Sequence, residues 1–585
     1  MRQVVKIKFT THLTTALVAL LIIAPVLLNL IFITKFGVNC VYIDQWEMVP
    51  LFDKFYSGSL SFADLIELHS EHRIFVPRLV MLALGSITHY NNIEEMYLSW
   101  FLLCIICFIF FKLYIRTFGF SKISMARFIP VVWLIFSLRQ YENLLRGDTS
   151  SMFLEILFFL LAVYLLTQSK RLDWRFALAV LCGVACTLSL AGGLLVWPVG
   201  LIQLLFSGRD KAKKHWGLDI SRVVSWTIIG IAVYVLYFVD YVQPPVTAPL
   251  LYYNQQPVIS FMFGLVALGS PLSLDMLTAT SVGALLLLLY LLVAGVAVFK
   301  PAMLPVKFPY ISLVLFSLVA VAGLLVTRSG GDWWMTSAYL SRYTTMTGLG
   351  IIGVYLLILS IDVKNTKLKF FLAVFLVSMI TIGIGPTAVP VYWEIGEKMR
   401  SARHETAYYL TTCNLQNDET IIQYLYPFPD VARERMGILV KYKLNVFSDA
   451  ILSEAGLERL DSAPSFKIDM LNDKFLGSAK PVVLEADKDE TLKIVGWAVD
   501  RDAGQTAGGV LISIDESIDV PALYGLGRPD VAKYFKHDNY KYSGFEVMLP
   551  ASVVGPGRHT IAIKVISADR TGYYLPVQIL TLEIE

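Results

Sequence analysis

Residues 13–35 read LTTALVALLIIAPVLLNLIFITK, an apolar stretch long enough to cross a bilayer as a single helix. The basic segment MRQVVKIKFTTH comes before it, and no small-residue cleavage site follows it. A secretory signal peptide has a shorter apolar core and ends at such a site. We therefore predict an uncleaved first membrane helix.

Apolar windows of this kind recur as far as residue 388. Of the 585 residues, 56% are hydrophobic and 16% are charged, whereas soluble domains carry about 25% charged residues. The windows lie near 13–35, 93–115, 124–138, 152–168, 174–190, 192–207, 222–240, 279–299, 308–327, 344–361 and 369–388. The pattern predicts a polytopic α-helical membrane protein with about eleven transmembrane helices within residues 1–390.

The distribution of Lys and Arg predicts the orientation of these helices. If the N-terminus is cytoplasmic, the inner segments carry nineteen basic residues and the short outer loops carry four, which are Arg139, Arg146, Arg328 and Arg342. Basic residues are enriched in cytoplasmic loops. We therefore expect a multi-pass protein of a bacterial inner (plasma) membrane, with a periplasmic or extracellular C-terminal part. The net charge of +3 and the lack of basic runs interleaved with aromatics give no indication of a nucleic-acid partner.

Four further regions define the domain organisation. Residues 36–92 form a long, acidic first outer loop in which we expect surface helices. Residues 241–278 contain PVISFMFGLVALGSPLSL, which is too short and too bounded by Gly and Pro for a plain span and is typical of a surface or re-entrant segment. Residues 391–465 are polar and predict an outer-face helical neck. From 466 to 585, short alternating runs such as LKIVGWAVD predict a C-terminal all-β sandwich domain.

Carboxylates stand at the outer membrane boundary. The sequence VYIDQWEMVP places Asp44 and Glu47 directly after the first apolar window, and LHSEHRIFVPRLV brings Glu71 back near the same level. A carboxylate there is suited to act as a general base or to bind a metal ion. We expect Gln45 and Trp46 to pack Asp44 against the loop helices. The alternative is that Asp44 and Glu47 merely mark the boundary with water.

The segment HSEHR combines two histidines, a glutamate and an arginine. On a helix, His69, His72 and Arg73 would share one face, with Glu71 beside them. Arg and His side chains bind phosphate oxygens, and Arg does so with two parallel hydrogen bonds. We therefore expect a cationic phosphate-binding patch. Two alternatives stay open: zinc ligation, although the order differs from H-E-x-x-H, and a solvated loop helix in which Glu71 and Arg73 pair with each other.

The outer arginines also indicate an anionic ligand, because basic residues are disfavoured on this side of the membrane. In RQYENLLRGDTSS two arginines alternate with two acids, and a third arginine, followed by tyrosine, stands at the mouth of a late apolar window. The predicted substrate-binding residues of these loops are Arg139, Arg146, Arg342 and Tyr343. Local salt bridges, such as Arg146 to Asp148, are the alternative.

An acid just beyond the first span, a long outer loop, about eleven spans, outer arginines and an exported C-terminal domain together resemble the GT-C superfamily of polyprenyl-phosphate-sugar glycosyltransferases. The similarity covers residues 1 to about 390 and includes YIDQWE around Asp44. It implies transfer of a hexosyl or pentosyl unit from a polyprenyl-phosphate donor to a surface glycan or lipid acceptor. Asp44 would be the base, and Arg342 would bind the lipid phosphate. Some members hold a divalent metal (Mg or Mn) between acid and phosphate, whereas this sequence lacks a DxD-type pair.

The C-terminal sequence, with GWAVD, YGLGRPDVAKYF and GRHTIAIKV, looks like a β-sandwich module of bacterial cell-surface glycan proteins. This resemblance implies an acceptor in the cell envelope, such as O-antigen or lipopolysaccharide. Rival functions are a flippase or transporter of a lipid-linked glycan and a glycan polymerase or ligase. A transporter needs polar residues deep in several helices, and the windows here are largely apolar. A purely structural anchor for the β domain leaves the outer-loop residues unexplained.

Overall fold

The computed structural model describes residues 2–207, 219–242, 256–299, 304–328, 334–360, 366–448, 451, 455–462, 465–472, 474–475, 485–486, 491–574 and 580–584. The chain divides into two compact units. The first comprises Met1–Gly37, Gly58–Ile87 and Asn92–Met399, and the second comprises Val38–Ser57, Thr88–Asn91 and Arg400–Glu585. The first outer loop therefore contributes residues to both units.

The first unit is helical. Long apolar runs favour helices because a helix satisfies the backbone hydrogen bonds within the segment itself, which a bilayer demands. The α-helices are Arg2–Phe36, Phe62–Ile66, Phe75–Thr88, Asn92–Phe118, Lys122–Ile135, Tyr141–Leu144, Ser150–Gln168, Trp174–Thr187, Val196–Ser207, Ile220–Tyr237, Pro257–Gly269, Met276–Phe299, Leu304–Arg328, Trp334–Ala338, Thr344–Ser360 and Thr366–Pro390. Short 3₁₀ turns lie at Leu138–Gln140, Ala191–Leu195, Ser270–Leu272 and Ser341–Tyr343.

Within the described residues, eight helices are long and apolar enough to cross a membrane. They are Thr14–Phe36, Asn92–Phe118, Lys122–Leu144, Ser150–Gln168, Ile220–Tyr237, Lys307–Arg328, Ser341–Ser360 and Lys367–Thr411. The predicted windows 174–190 and 192–207 hold the shorter apolar helices Trp174–Thr187 and Ala191–Phe206. The helical, polytopic pattern is therefore as expected, while the count of eleven spans stays a prediction.

The predicted surface or re-entrant segment forms one arm of a bent helical pair. Pro257–Leu272 and Met276–Leu292 pass the length and hydropathy test together but meet at an angle of 97°. The arms pack backbone against backbone, because a Cβ on Gly269 would lie 1.9 Å from the carbonyl oxygen of Ala279. The pair is thus a broken span or a re-entrant loop, and the window 279–299 belongs to its second arm.

Part of the first outer loop is helical in the first unit, where surface helices were expected. Arg78, on Phe75–Thr88, donates to three carbonyl oxygens at the end of Phe62–Ile66. The guanidinium group satisfies carbonyls that have no partner within the short helix. Arg78 therefore holds the two helices together.

The predicted neck is helical and lies mostly in the second unit. Its α-helices are Gly396–Thr411, Asp418–Tyr424 and Pro429–Lys441. The predicted boundary at residue 390 falls inside a continuous helical stretch, because a π turn at Val391–Ile395 joins Thr366–Pro390 to Gly396–Thr411. Another helix of this unit, Val49–Ser57, comes from the first outer loop.

The C-terminal part of the second unit is built of β-sheet, as predicted. Its strands, numbered β1 to β13, are Glu458–Leu460, Ser465–Leu471, Lys474–Phe475, Glu485–Ala486, Thr491–Asp500, Gln505–Thr506, Gly509–Ile514, Ile518–Pro521, Leu523–Leu526, Gly544–Pro550, Gly557–Ile566, Gly572–Tyr574 and Leu580–Ile584. One sheet has the order β1-β12-β11-β13-β4, with β7 beside β11 and β8 beside β7. The other has the order β3-β2-β5-β10-β9, with β6 beside β5.

One hydrophobic core joins the two sheets. Ile512 and Val565 reach it from the first sheet, and Ile494 and Phe545 reach it from the second. Along β5, buried residues alternate with more exposed ones, as a strand with one face in a core requires. The strands begin at Glu458, slightly before the predicted start at residue 466.

Candidate functional site

The segment HSEHR forms a tight turn rather than a helix. His69 and His72 exchange backbone hydrogen bonds of 2.8 and 2.9 Å, and Ser70 has a φ of +55°. A residue with a left-handed backbone does not continue an α-helix. The prediction that His69, His72 and Arg73 share a helical face is therefore wrong, and the turn instead directs Glu71 into the first unit.

Glu71 is a buried carboxylate with two kinds of partner. Its Oε1 lies 2.6 Å from Nη2 of Arg328, and its Oε2 accepts a 2.5 Å hydrogen bond from the Ser70 hydroxyl. Burial alone would raise the pKa of Glu71, but the charge that His72 can carry, the Ser70 hydroxyl and the Arg328 guanidinium together hold it below its ordinary value. Glu71 is therefore ionised at neutral pH.

His72 is held in one tautomer beside Glu71. Its Nδ1 accepts a 3.3 Å hydrogen bond from the backbone N–H of Ala191, so the proton of the neutral ring lies on Nε2. Nε2 is 3.6 Å from Oε1 of Glu71. Burial lowers the pKa of His72 to about 4, although the Glu71 charge opposes this shift. The imidazole is therefore neutral at neutral pH and directs its N–H toward Glu71.

Tyr343 brings a second arginine to this group. Nε of Arg328 lies 3.3 Å from the Tyr343 hydroxyl, and the guanidinium carbon of Arg342 lies 5.2 Å from the centre of the Tyr343 ring. Glu142 holds the backbone here, because its Oε2 accepts from the amide of Arg342 at 3.1 Å and from the Ser341 hydroxyl at 2.7 Å. Two guanidinium groups therefore flank one tyrosine. We call Glu71, His72, Arg328, Arg342 and Tyr343 the Glu71 cluster.

Arg342 is the member of the Glu71 cluster with unused donors. Its guanidinium forms no ion pair with a carboxylate among the described residues, and its buried Nε has no hydrogen-bond acceptor there. A buried donor without an acceptor is costly, whereas a charge-assisted bond to an oxyanion is strong. The arrangement of Arg328 and Arg342 around Tyr343 therefore suits a small oxyanion such as phosphate.

The other predicted arginines are engaged within the protein. Arg73 donates to three backbone carbonyl oxygens. Arg139 is 2% exposed and donates to two more, at 2.7 and 2.8 Å. Arg146 forms a two-point ion pair with Asp148, which was the alternative at that position. Phosphate would have to displace these partners from Arg73 and Arg146, so the structure does not support those two as phosphate ligands. Nη1 of Arg139 has no acceptor among the described residues, and the assignment of Arg139 stays a prediction. His69 lies at the same turn, and its backbone bonds to His72.

Asp44 belongs to the second unit. It lies on a 3₁₀ helix, Ile43–Met48, in which Gln45 and Trp46 are buried but Asp44 is exposed. The expectation that Gln45 and Trp46 pack Asp44 is therefore wrong, because Asp44 lies on the exposed face of this 3₁₀ helix, while Gln45 and Trp46 lie on its buried faces. The assignment of Asp44 as the base stays a prediction.

Glu47 is bonded within the second unit. Oε1 lies 2.8 Å from Nη1 of Arg435, Oε2 lies 3.3 Å from Nη2, and the Tyr426 hydroxyl donates to Oε1 at 2.6 Å. A carboxylate that accepts three hydrogen bonds from two residues is a weak candidate for proton abstraction. These contacts favour a structural role for Glu47 over the predicted catalytic one. Through Arg435, Glu47 connects the first outer loop to the neck helix Pro429–Lys441.

Sequence reasoning missed two contributions to the Glu71 cluster. Arg328 was counted only as an outer arginine, and its position at the end of a long apolar window was the signal for a site residue. Ala191 supplies the amide that orients His72, and the Gly-Gly pair after it, in SLAGGLL, marked a break in an apolar window. Neither signal identifies Glu71 or His72 as the partner.

The described residues of the Glu71 cluster do not form a divalent-metal site of their own. In the described parts of the chain, no group of three or more His, Cys, Asp or Glu side chains is placed to hold a metal ion. Within the first unit, Glu71 is paired with Arg328, and Nδ1 of His72 is occupied by a backbone amide. The chemistry of the cluster is therefore described through its own side chains.

Comparisons of this chain with protein families, with curated proteins and with solved structures found no match. The cluster is therefore interpreted from its geometry: an ionised glutamate, a neutral histidine and two arginines around one tyrosine, at the ends of apolar helices.

Proposed function

We propose that the chain is a membrane glycosyltransferase that transfers a sugar from a polyprenyl-phosphate donor to a surface glycan or lipid acceptor. The observation that carries this proposal is the Arg342 guanidinium, which has no carboxylate partner among the described residues although it lies at the start of an apolar helix. Arginines at membrane depth commonly serve a ligand or a pathway. A lipid-linked phosphate is an anion that is present at this level.

In this proposal, Arg342 binds the donor phosphate, and Arg328, which Glu71 holds in place, adds a second positive charge on the other side of Tyr343. Arginine presents parallel N–H groups that match phosphate oxygens. As the acceptor oxygen bonds to the anomeric carbon, the bond from that carbon to the phosphate oxygen breaks, and the phosphate leaves with the electron pair. The two guanidinium groups stabilise the negative charge that develops there.

The acceptor hydroxyl gives up its proton in the same reaction, and Asp44 is the proposed base. It is exposed and follows the first apolar helix, so an acceptor has access to it. Glu71 is the alternative base because it is ionised, but it would first have to leave Arg328. The proposal places these residues on the periplasmic or extracellular face of a bacterial inner membrane, with a cytoplasmic N-terminus, in accord with the distribution of basic residues.

Mass spectrometry of surface glycans tests the proposal. Cells without the chain should lack one sugar branch, and the wild-type chain should restore it. Arg342→Ala should fail to restore the branch, whereas Arg501→Ala, at an exposed position of the sheet region, should succeed. Loss of the whole glycan would indicate a polymerase, a ligase or a transporter, and an unchanged glycan would contradict the proposal.

A flippase or transporter for a lipid-linked glycan is the second candidate, and the bent helical pair favours it. Discontinuous helices commonly form the substrate sites of transporters, and Pro257–Leu272 meets Met276–Leu292 at 97°. Proteoliposomes that contain a fluorescent polyprenyl-phosphate sugar distinguish the two. Movement of the intact lipid between leaflets without sugar transfer would favour transport.

A further inference from the structure

Glu155 is an acidic residue inside an apolar helix that is long enough to cross a membrane. It belongs to Ser150–Gln168 and lies about 7 Å along the helix from its first residue. None of its surface is exposed. The surrounding sequence SMFLEILFFLL is otherwise apolar, and the Glu71 cluster does not include Glu155.

The carboxyl group of Glu155 lacks hydrogen-bond donors among the described residues. Within the described residues, neither oxygen accepts a hydrogen bond of normal geometry. The backbone amide of Gly193 faces the group, but it already donates to the carbonyl oxygen of Leu190 at 2.9 Å. A Cβ on Gly192 would lie 2.6 Å from Oε1, so the chain packs directly against the carboxyl. An ionised carboxylate is strongly unfavourable in such surroundings, whereas the neutral acid is tolerated.

The titratable neighbours of Glu155 supply no positive charge. Cys186 and Tyr237 are close enough to interact with a charge on Glu155. The Cys186 thiol donates to the backbone carbonyl oxygen of Glu155 at 3.3 Å, and the Tyr237 hydroxyl donates to the carbonyl oxygen of Glu71 at 3.2 Å. No described Lys or Arg forms an ion pair with Glu155. Protonation is therefore the available way to neutralise it.

One short turn connects Glu155 with the Glu71 cluster. In the 3₁₀ turn Ala191–Leu195, Gly192 contacts Glu155, and the adjacent Ala191 donates the hydrogen bond that orients His72. If Glu155 were ionised, its Oε1 would require a hydrogen bond from water or another donor. Gly192 occupies the space beside Oε1 where such a donor would lie. A charge on Glu155 therefore acts on the turn that holds His72.

We infer that Glu155 is a proton-binding group that is protonated in the arrangement described here, and that release of its proton to water opens the turn Ala191–Leu195 beneath His72. The opened turn would admit water to the carboxylate and would break the hydrogen bond from Ala191 to His72. The inference does not depend on the proposed transfer reaction, because a transporter with the same cluster would be affected in the same way.

Infrared difference spectroscopy of the full chain in lipid nanodiscs tests the proton site. As the pH is raised, the carbonyl band of a protonated carboxylic acid should decrease in the wild type. Glu155→Gln should lack this band, while Glu95→Gln, a matched change at another buried glutamate, should retain it. A titrating band that persists in Glu155→Gln would overturn the assignment.

Hydrogen exchange tests the coupling to the turn. At alkaline pH, peptides that cover 188–195 should exchange about tenfold faster in the wild type than in Glu155→Gln at the same pH, because only the wild type ionises there. Peptides from Gly544–Pro550 should exchange equally in both. Equal exchange at 188–195 would refute the coupling. If Glu155→Gln does not fold, two measurements on the wild type test the inference. An isotope label in the carboxyl carbon of glutamate must shift the titrating band. Hydrogen exchange at 188–195 must change over the same pH range as that band.

Discussion

Glu47 and Glu71 both lie between the first two apolar windows, but they have opposite surroundings. Glu47, in the second unit, binds the two terminal nitrogens of Arg435 with its two oxygens, at 2.8 and 3.3 Å. Glu71, in the first unit, binds Arg328 at a single point, 2.6 Å away, and Arg328 also contacts Tyr343. Arg342 stands beside the same tyrosine without a carboxylate partner in the described chain.

We call the Glu47–Arg435 pair closed, because each side chain binds the other at two points. We call the Glu71 cluster open, because Arg342 in it has no carboxylate partner among the described residues. In the closed pair around Glu47, the two terminal nitrogens of Arg435 meet both carboxylate oxygens, and the Tyr426 hydroxyl donates to one of them. In the open group around Glu71, guanidinium donors remain for another anion. Two acids of one loop, similar in sequence context, therefore differ in the role that their surroundings permit. The experiments below compare the two groups, beginning with the largest expected effect.

Replacement of each loop carboxylate in turn should give the largest differences in the rate of sugar transfer. Asp44→Asn keeps the shape and removes the charge, so sugar transfer should fall about 10²–10⁴-fold, as loss of a general base does. Glu47→Gln should stay near the wild-type rate, because Glu47 serves a closed pair. Initial rates in proteoliposomes measure both. If Glu71→Gln abolishes transfer and Asp44→Asn does not, the base is Glu71.

The two arginines should differ in their effect on donor binding. Arg342→Ala should raise the donor KM about 10- to 100-fold, because charge-assisted hydrogen bonds contribute about 1.5–3 kcal/mol each. Arg342→Lys should restore only part of the affinity, since an ammonium group lacks the fork. Arg435→Ala is the matched control from the closed pair and should leave the donor KM unchanged in the folded fraction. An unchanged KM in Arg342→Ala would remove Arg342 from the site.

Acidification should destabilise the open group. The pKa of His72 is about 4 in the folded chain, against an ordinary value of 6.5. Between these values the unfolded chain binds a proton that the folded chain does not, so stability falls as the pH drops from 6.5 toward 4, by at most about 3 kcal/mol. Glu71, whose pKa is lowered, loses its contribution at still lower pH.

Thermal unfolding in detergent, followed by size-exclusion chromatography at several pH values, measures this dependence. His72→Gln should flatten the profile in the window from 6.5 to 4. His69→Gln is the matched control, because it alters the same turn and keeps the His72 imidazole. An identical slope in the wild type and in His72→Gln would show that another group titrates there.

The smallest effect is expected for the stability of the closed pair. The Glu47 side chain is 38% exposed, so solvent screens its attraction to Arg435. A double-mutant cycle with Glu47→Gln and Arg435→Gln should give a coupling energy of about 1 kcal/mol. Thermal midpoints of the four proteins provide the measurement. A coupling near zero would mean that Tyr426 and packing, rather than the ion pair, hold the loop to its neck helix.

Much of the fold was predictable because it depends on local patterns. The apolar windows predicted helices because a membrane-spanning helix needs about 20 apolar residues. The alternation of apolar and polar residues in LKIVGWAVD predicted the strand Thr491–Asp500. HSEHR was misread because helical spacing alone does not exclude a turn, and Ser70 adopts a positive φ. The bent pair was only partly predicted, because its angle depends on close packing at Gly269.

By itself, the sequence determined the apolar helices, the C-terminal sheet and the presence of polar residues at helix ends, because composition and periodicity act over short stretches of chain. Only the tertiary structure decided which arginines are engaged. Glu71 meets Arg328, 257 residues away in sequence, while Arg146 meets Asp148 two residues away. Helix packing brings distant side chains together, and no local pattern encodes it; the unused donors of Arg342 became apparent only after those contacts were known.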